Sequence, residues 1–266
     1  MILILLAPLV AAPTGEFTHG SFRLQSVKLP GAITDVFTAD GGCRAHVLVL
    51  PGWNFPRADW YQRTDILAQA QDRGFCLYFP ETGKTLYESE YFTQTAAKTF
   101  AVPAQQWFKT VFFPALQKRY QAFLPGGKNF VLGLSTGGRG AVLLALAQPD
   151  IFLAAAALSG DFNQALMKSD RLMTAVYGPY EKYSTRWQTV DNPYAAAPQW
   201  KLSLYLGHGL QDKVVPPEQT MLFYQKLMSL RRNLDIRKNF SARHSHDYNY
   251  WKSEVKPVFD FFKRHL

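Results

Sequence analysis

Short apolar segments alternate with longer amphipathic segments along most of this chain, and this alternation restricts the fold more than any other feature. The clearest apolar segment is AHVLVL, which spans Ala45–Leu50 and is ended by Pro51 and Gly52. Segments that are apolar at successive positions are typical of parallel strands that helices cover on both faces. The alternation therefore predicts an α/β fold with a mostly parallel central sheet and helices on both of its faces.

Two connections between the predicted elements are longer than the rest. The first long connection runs from Glu81 to Val102 and the second long connection from Asp161 to Gln199. Long connections in compact domains tend to cover active sites. The second is rich in Tyr and Trp, so it either faces a substrate as a lid or forms an aromatic mini-core beneath an irregular loop. The predicted strands are 45–50, 75–79, 129–132, 153–158, 202–206 and 234–240, and the predicted helices are 59–73, 105–123, 138–148, 218–230 and 252–264.

Composition narrows the class of protein further. With 266 residues, of which 47% are hydrophobic, the chain can bury a large core and differs from disordered proteins. We expect residues 20–266 to form a single domain. The net charge of +9 is uneven, with +5 in residues 231–266. Because these cations are spread through ordinary strand and helix patterns, without a dense Lys/Arg run or a recognition motif, a solvated basic face is predicted and no nucleic-acid partner. Two cysteines, Cys43 and Cys76, exclude a disulfide-dense scaffold and allow one bridge.

The N-terminal segment is the one part of the sequence with a targeting pattern. Met1–Ala12 (MILILLAPLVAA) is apolar and uncharged, too short to span a bilayer but of the size of a signal-peptide core. It lacks a preceding cation, and cleavage after Ala12 would leave Pro13 as the new N-terminus. Residues 1–19 are therefore interpreted as a signal or other N-terminal segment. A periplasmic or secreted location without stable membrane insertion is favoured, and a cytoplasmic protein is the alternative.

The segment Gly133-Leu134-Ser135-Thr136-Gly137 follows a predicted strand and begins a predicted helix. This is the setting of a nucleophile elbow, a turn so tight that side chains two before and two after the serine would collide. The turn pushes the Ser135 hydroxyl outward, where it can attack a substrate. A serine hydroxyl is a poor nucleophile at neutral pH, so it needs a base and a carboxylate that orients the base. We predict Ser135 as the nucleophile.

Chain order limits the choice of acid and base, because this architecture places serine, acid and histidine in that sequence. Asp212 is the preferred acid, since it follows a strand at the edge where parallel sheets bind ligands, and Asp161 is the reserve. His246 is the preferred base because the aromatic residues after it can exclude water, and His244 in the same loop stays open. His265 is expected at the end of the last helix, and His208 is expected to support the turn before the acid.

An oxyanion hole needs two backbone N–H groups that meet the negative charge of the tetrahedral intermediate. Thr136 supplies one of them, at the N-terminus of the helix after the nucleophile. The other is expected from the loop after strand 45–50, where Gly52 lets the chain approach the site. Trp53 is the preferred donor and Asn54 the alternative.

The chain resembles the α/β-hydrolase superfamily from about Gly20 to its end. Residues 133–141 and 246–251 resemble the esterase D branch, which includes carboxylesterases, S-formylglutathione hydrolases, feruloyl esterases and mycolyltransferases. The acid segment, residues 208–216, is more similar to dipeptidyl-peptidase and dienelactone-hydrolase relatives, and Pro51-Gly52 departs from the common His-Gly form of the oxyanion loop. The resemblance implies a hydrolase that needs no cofactor.

Together these residues predict a serine hydrolase that cleaves carboxylic esters or thioesters of small molecules through an acyl-enzyme. A serine peptidase of the dipeptidyl-peptidase type and a catalytically inactive binding protein with the same fold are the alternatives. Two other signals are rejected. Gly83-Lys84-Thr85 lacks the earlier glycine of a phosphate-binding loop, and the pair His244 and His246 lacks the further ligands that a metal requires.

Overall fold

The computed structural model describes residues 12–230 and 233–266, which form a nine-stranded sheet packed between helices. The predicted α/β class is confirmed. The strands are β1 (Ala12–His19), β2 (Phe22–Leu29), β3 (Ala32–Phe37), β4 (Ala45–Leu50), β5 (Phe75–Pro80), β6 (Asn129–Leu134), β7 (Ala154–Leu158), β8 (Ser203–Gly209) and β9 (Ile236–Ser241). The helices are α1 (Asp59–Arg63), α2 (Ile66–Gln71), α3 (Ala104–Trp107), α4 (Phe113–Tyr120), α5 (Thr136–Ala147), α6 (Arg171–Tyr177), α7 (Tyr180–Thr189), α8 (Pro193–Ala196), α9 (Glu218–Ser229) and α10 (Tyr248–Lys263).

The order of the strands places the candidate site. It is β1-β2-β3-β5-β4-β6-β7-β8-β9, and every pair from β5 to β9 is parallel. Helices α2 and α10 pack together, while α5 packs with α3 and α8, so two helix layers cover the sheet. The chain leaves β4 for β5 and returns to β6 on the other side of β4. The C-terminal ends of β4 and β6 therefore meet at a topological switch point, where sheets of this kind bind ligands.

An antiparallel meander that the apolar pattern did not indicate extends the sheet beyond β5. Strands β1, β2 and β3 pair in succession, and β3 pairs with β5. Buried and more exposed residues mix along β2, as expected for a strand near a sheet edge. Strand β1 falls within the predicted N-terminal segment, residues 1–19. The rest of the predicted signal core, residues 1–11, lies outside the described residues.

Two predicted helices are interrupted for identifiable reasons. The segment 59–73 forms α1 and α2 instead of one helix, because Thr64 Oγ1 donates to the Trp60 carbonyl at 2.5 Å and accepts the Ile66 N–H at 3.2 Å. Side-chain bonds of this kind compete with helix continuation. The segment 105–123 contains a π-helical turn, Phe108–Phe112, between α3 and α4, and α4 ends before Gln121, whose φ is 52°.

The second long connection is not an irregular loop, because it contains α6, α7 and α8. Its Tyr177 and Trp187 are fully buried and pack with residues of the first long connection in a cluster separate from the main core. The aromatic mini-core is therefore the arrangement found for these two rings. We call it the aromatic cluster. Its buried members are Leu86, Met173, Val176, Tyr177 and Trp187, and Trp53 packs against them.

Cys43 and Cys76 form a disulfide whose Cα atoms are 5.4 Å apart. Cys76 belongs to β5 and Cys43 precedes β4, so the bridge joins two neighbouring parallel strands near their N-terminal ends, away from the candidate site. Within the described ranges, no helix has the length and apolar character needed to cross a bilayer.

Candidate active site

Ser135 stands at the sharp turn between β6 and α5. Its φ of 55° and ψ of −127° are a strained combination for a residue with a side chain. The flanking glycines permit the turn. A Cβ on Gly133 would lie 1.9 Å from the Gly137 carbonyl oxygen, and a Cβ on Gly137 would lie 2.4 Å from the Pro51 carbonyl oxygen. The turn leaves Ser135 8% exposed at the end of a strand whose Leu134 is fully buried.

Three distant side chains meet at this turn. His246 Nε2 lies 2.9 Å from Ser135 Oγ, and His246 Nδ1 lies 2.6 Å from Asp212 Oδ2. Because the carboxylate can only accept, Nδ1 carries the proton of this tautomer and Nε2 is left to accept the hydrogen of Ser135. The arrangement can move a proton from the serine hydroxyl to the imidazole while a negative charge stabilises the imidazolium.

The turn between β8 and α9 keeps the Asp212 carboxylate ionised although the residue is buried. Asp212 Oδ1 accepts the N–H groups of Val214 and Val215 at 2.8 and 2.9 Å. Burial alone raises the pKa of Asp212. Hydrogen bonds from His208 and His246 and the attraction of His246 outweigh burial and hold that pKa below its ordinary value.

The base is enclosed on one side by an aromatic ring of α10. Trp251 is 1% exposed, and its ring meets the His246 imidazole edge-on with centroids 5.1 Å apart. The Trp251 Nε1–H donates to Ser159 Oγ at 3.2 Å, which fixes the indole. Asp247 caps α10 by accepting the N–H groups of Asn249 and Tyr250, so the loop carrying His246 joins the helix at a defined position.

The loop after β4 contributes the backbone opposite the nucleophile. A Cβ on Gly52 would lie 3.2 Å from Ser135 Cβ, so this loop touches the elbow. The Asn54 N–H donates to the Gly83 carbonyl at 2.8 Å, which removes Asn54 from the candidate donors. For the Trp53 and Thr136 N–H groups, no hydrogen bond is found within residues 12–230 and 233–266. These two groups are therefore available to an oxyanion.

Arg57 holds this loop in place. Its Nε donates to Asp35 Oδ2 at 2.8 Å, and its Nη1 donates to Glu81 Oε2 at 3.1 Å. Asp35 is buried and also accepts from Ser26 and Tyr61 hydroxyls at 2.6 and 2.9 Å. The ion pairs thus tie the loop after β4 to β3 and to the residue that follows β5. We call these two ion pairs the Arg57 brace, and they were not predicted from the sequence.

The other candidate residues have different partners. His244 Nδ1 lies 2.6 Å from Ser241 Oγ and His265 Nε2 lies 3.5 Å from Asp235 Oδ2, so neither imidazole is at the nucleophile. Asp161, the reserve acid, is paired with Arg139 at 3.0 Å. Among the residues that the structure describes, no three His, Cys, Asp or Glu side chains gather into a group that could hold a metal ion.

Arg139, one turn after the nucleophile on α5, is fully buried and joins the two long connections. In the sequence it belongs to residues 133–141, which carry the family resemblance, and no role was predicted for it. Its guanidinium donates to acceptors in the first and in the second long connection, so both connections are fixed to the helix that follows Ser135. These acceptors are the carbonyl oxygens of Leu86, Asp161 and Asp191 and the side chains of Asp161, Gln164 and Tyr177.

Several known proteins are similar to this chain in sequence or in structure. Diacylglycerol acyltransferase/mycolyltransferase Ag85B of Mycolicibacterium smegmatis is 23% identical over 96% of this chain and 89% of that protein. The S-formylglutathione hydrolase of Agrobacterium tumefaciens superposes with a TM-score of 0.71 at 14% identity, over 96% of this chain and 99% of that one. The acylaminoacyl peptidase of Pyrococcus horikoshii superposes with a TM-score of 0.64 at 14% identity, over 97% of this chain and 42% of that one.

The structural likenesses show that this chain shares its fold with these hydrolases. In addition, residues 104–266 match the sequence profile of the prolyl oligopeptidase family. This match covers more than half of the chain and includes the elbow, the acid turn and the loop of the base. The chain therefore has the α/β-hydrolase fold and belongs to the prolyl oligopeptidase family.

Proposed function

We propose that this protein is a serine hydrolase that cleaves carboxylic esters or thioesters of small molecules through an acyl-enzyme. One observation carries the proposal. An unbroken hydrogen-bonded path runs from Asp212 Oδ2 through both nitrogens of His246 to Ser135 Oγ, with distances of 2.6 and 2.9 Å. Distances in this range are those required of a nucleophile, its base and the group that orients the base.

In the first half-reaction, Ser135 Oγ attacks the acyl carbon while His246 Nε2 takes the hydroxyl proton. The N–H groups of Trp53 and Thr136 receive the oxyanion, and Asp212 stabilises the imidazolium. As the intermediate collapses, the bond to the leaving oxygen or sulfur breaks and His246 returns the proton to it. An alcohol or thiol departs, and the acyl group stays on Ser135.

In the second half-reaction, water attacks the same acyl carbon and His246 again takes the proton. The second tetrahedral intermediate collapses with Ser135 Oγ as the leaving group, which regains its hydrogen from His246. The carboxylic acid departs and the starting protonation state is restored. Besides the substrate and one water molecule, the steps use only the residues already named.

Ester cleavage is favoured over amide cleavage by the extent of the relatives. The S-formylglutathione hydrolase and the acyltransferase are matched over 99% and 89% of their own lengths, whereas the acylaminoacyl peptidase is matched over 42%. The family match favours a second candidate, a serine peptidase that cleaves aminoacyl amides. Both reactions use the same three side chains, so the substrate decides between them.

A panel of chromogenic substrates separates the two candidates. Short-chain, long-chain and feruloyl esters, an acyl thioester and an aminoacyl p-nitroanilide are compared by kcat/KM on the same preparation. We expect ester or thioester turnover to exceed anilide turnover by at least about a hundredfold, since an amine is the poorer leaving group. A preference for the anilide would replace the proposed function with the peptidase.

We also propose that the protein functions in an oxidising compartment, the periplasm or the cell exterior. The Cys43–Cys76 disulfide supports this, because such bonds persist outside the reducing cytosol. Thiol titration of protein purified without reductant is expected to find no reactive thiol, even in denaturant. Two titratable thiols in that preparation would contradict the proposed location.

A further inference from the structure

We propose that His208 is a positioning residue that fixes the orientation and charge distribution of the Asp212 carboxylate and so tunes proton transfer at His246. This inference rests on the proposed function. His208 lies on β8 and Asp212 lies four residues later in the following turn. Both are buried, and His208 has no exposed surface.

The contacts of His208 define which of its nitrogens carries a proton. His208 Nε2 lies 3.1 Å from Asp212 Oδ2 and 3.0 Å from the Val215 carbonyl oxygen. Both neighbours can only accept, so Nε2 must donate. On the other side of the ring, Nδ1 lies 2.6 Å from Thr220 Oγ1 of α9. The imidazole is thus held from the turn and from the helix that follows it.

The hydrogen bond from His208 reaches the same carboxylate oxygen that His246 uses. Asp212 Oδ2 accepts from His246 Nδ1 at 2.6 Å and from His208 Nε2 at 3.1 Å. The other oxygen is fully occupied by two backbone N–H groups. A carboxylate bound from four directions cannot rotate, so it presents one oxygen to His246 at a fixed angle. Positioning of this kind is a large part of catalysis.

The second donor also competes for negative charge. Each hydrogen bond that Asp212 Oδ2 accepts leaves less charge for the other donor. Without His208, Asp212 would attract the His246 imidazolium more strongly and would be less restrained in its rotation. Removal of the donor is therefore expected to slow turnover and to move the acid limb of the kcat/KM profile to higher pH. Loss of packing alone would lower kcat without moving that limb of the profile.

Four other ionisable groups lie near the pair in space or in sequence. Burial is the main reason that the pKa of the Tyr250 hydroxyl is raised, and the negative charge of Asp212 raises it further. Asp247 accepts from Ser245 and from two N–H groups of α10, and His244 bonds to Ser241. The exposed Lys213 follows Asp212 in the turn. The change in the pH profile is thus expected to come from the hydrogen bonds that Asp212 accepts from His208 and His246.

A pair of amide variants separates the donor from the polarity of the side chain. In His208→Gln, the amide nitrogen can reach the position of Nε2 and donate to Asp212. In His208→Asn, the amide reaches only the position of Nδ1 and Thr220. We expect His208→Asn to lower kcat by about tenfold to a hundredfold, the effect of one hydrogen bond to a charged group, with KM little changed. The acid limb of the kcat/KM profile should move to higher pH.

The same pair gives a readout that does not depend on turnover. The proton of His246 Nδ1, observed by NMR, should resonate farther downfield in His208→Asn than in the parent, because its bond to Asp212 strengthens. His208→Gln should retain the parent resonance and acid limb, with kcat within a few-fold of the parent. His46→Asn is the matched control. In the parent, His46 Nδ1 bonds to the Tyr78 hydroxyl at 2.9 Å, at the opposite end of the sheet from the site. The His46→Asn variant should therefore keep the kcat/KM pH profile of the parent.

Three results would overturn the inference in an active parent protein. One is a folded His208→Asn variant with the kcat and acid limb of the parent. Another is an equal loss of kcat in both amide variants with an unmoved acid limb, which would indicate structural support alone. The third is a shifted acid limb in the His46→Asn control. A parent that turns over no ester would instead contradict the proposed function, from which this inference follows.

Discussion

His246 Nε2 lies 2.9 Å from Ser135 Oγ although the two residues are 111 positions apart in the chain. Ser135 is carried by the turn after β6, and His246 by the loop that joins β9 to α10. The four strands from β6 to β9 are parallel neighbours, so their C-terminal ends share one edge of the sheet. The contact is therefore set by the register of the sheet as well as by local loop geometry.

The elbow is expected to tolerate no side chain at its second glycine. In Gly137→Ala the new Cβ would lie 2.4 Å from the Pro51 carbonyl and 2.6 Å from the Leu50 carbonyl, so α5 must move away from the oxyanion loop. We expect stability to fall by about 1–3 kcal/mol. Ester turnover should fall roughly a hundredfold, because small displacements in a catalytic site are costly. Urea unfolding and kcat/KM measure both.

Gly15→Ala is the matched control for this change. An added Cβ at Gly15 meets nothing within 4 Å, so activity and stability should stay near those of the parent. Parent-like activity in Gly137→Ala would show that the contact between the elbow and the oxyanion loop is not needed.

The Arg57 brace is expected to affect catalysis through the position of the Trp53 N–H. Arg57→Met removes both ion pairs that hold the loop after β4, and leaves the buried Asp35 with only two hydroxyl donors. Loss of one oxyanion donor costs about a hundredfold to a thousandfold in kcat, so a loosened donor should cost about tenfold. KM should change less. Steady-state ester kinetics test this.

Arg237→Met serves as the control for the brace. The Arg237 side chain is 57% exposed and pairs with Asp235, and pairs at the surface contribute little. An equal loss of kcat in both variants would show that the effect of Arg57→Met does not arise from the oxyanion loop.

The sequence pattern predicts the parallel half of the sheet better than the rest. Strand β4 has the predicted bounds because it is buried on both faces and ends at a proline. The antiparallel meander was missed, since β2 mixes buried and exposed residues instead of forming an apolar run. The break at Thr64 depends on one hydroxyl, and α8 has four residues held by the Asn192 side chain. Neither feature produces a periodic signal.

Chain order and the positions of the strand ends were enough to select the candidate site residues from the sequence. The tertiary contacts of these residues could not be predicted in the same way. The tight turn at Ser135 is encoded locally by its glycines. The choice between His244 and His246 depends on which imidazole the loop turns toward the nucleophile, and local sequence does not encode that direction. Three acceptors of Arg139 are backbone carbonyls, which carry no side-chain signal. His208, placed in support of its turn, gave no indication that it contacts Asp212.

Arg139 is expected to contribute mainly to stability. Its guanidinium is fully buried, and Arg139→Met would leave the buried Asp161 carboxylate without its partner. Breaking a buried pair in this way costs about 3–5 kcal/mol. Urea unfolding should show that loss, and limited proteolysis should cut the second long connection sooner than in the parent. A loss below about 1 kcal/mol would contradict the assigned role.

Stability is expected to depend on pH through Asp212. Its folded pKa lies below the unfolded value, so its contribution is present above about pH 4 and is lost as pH falls through the folded pKa. The stability difference between the parent and Asp212→Asn should therefore shrink between pH 6 and pH 3. Chemical unfolding at both pH values measures it, and a difference that grows on acidification would contradict the direction of the shift.

At Glu254, stability is expected to change with pH in the opposite direction, which the variant Glu254→Gln tests. Burial raises the pKa of Glu254, which accepts hydrogen bonds from the neutral donors Tyr205 and Asn239 at 2.7 and 2.8 Å. Its contribution is present below the unfolded pKa and is lost as pH rises through the folded pKa. The parent should lose stability relative to Glu254→Gln on alkalinisation, in the same unfolding experiments.

Covalent labelling by a fluorophosphonate tests the central claim most directly, because the probe reports an activated serine without any assumption about the substrate. Mass spectrometry of the labelled parent should locate one adduct on Ser135, and Ser135→Ala should take up none while unfolding at the urea concentration of the parent. His246→Ala should label far more slowly. An adduct on another serine, or equal labelling of Ser135→Ala, would contradict the account.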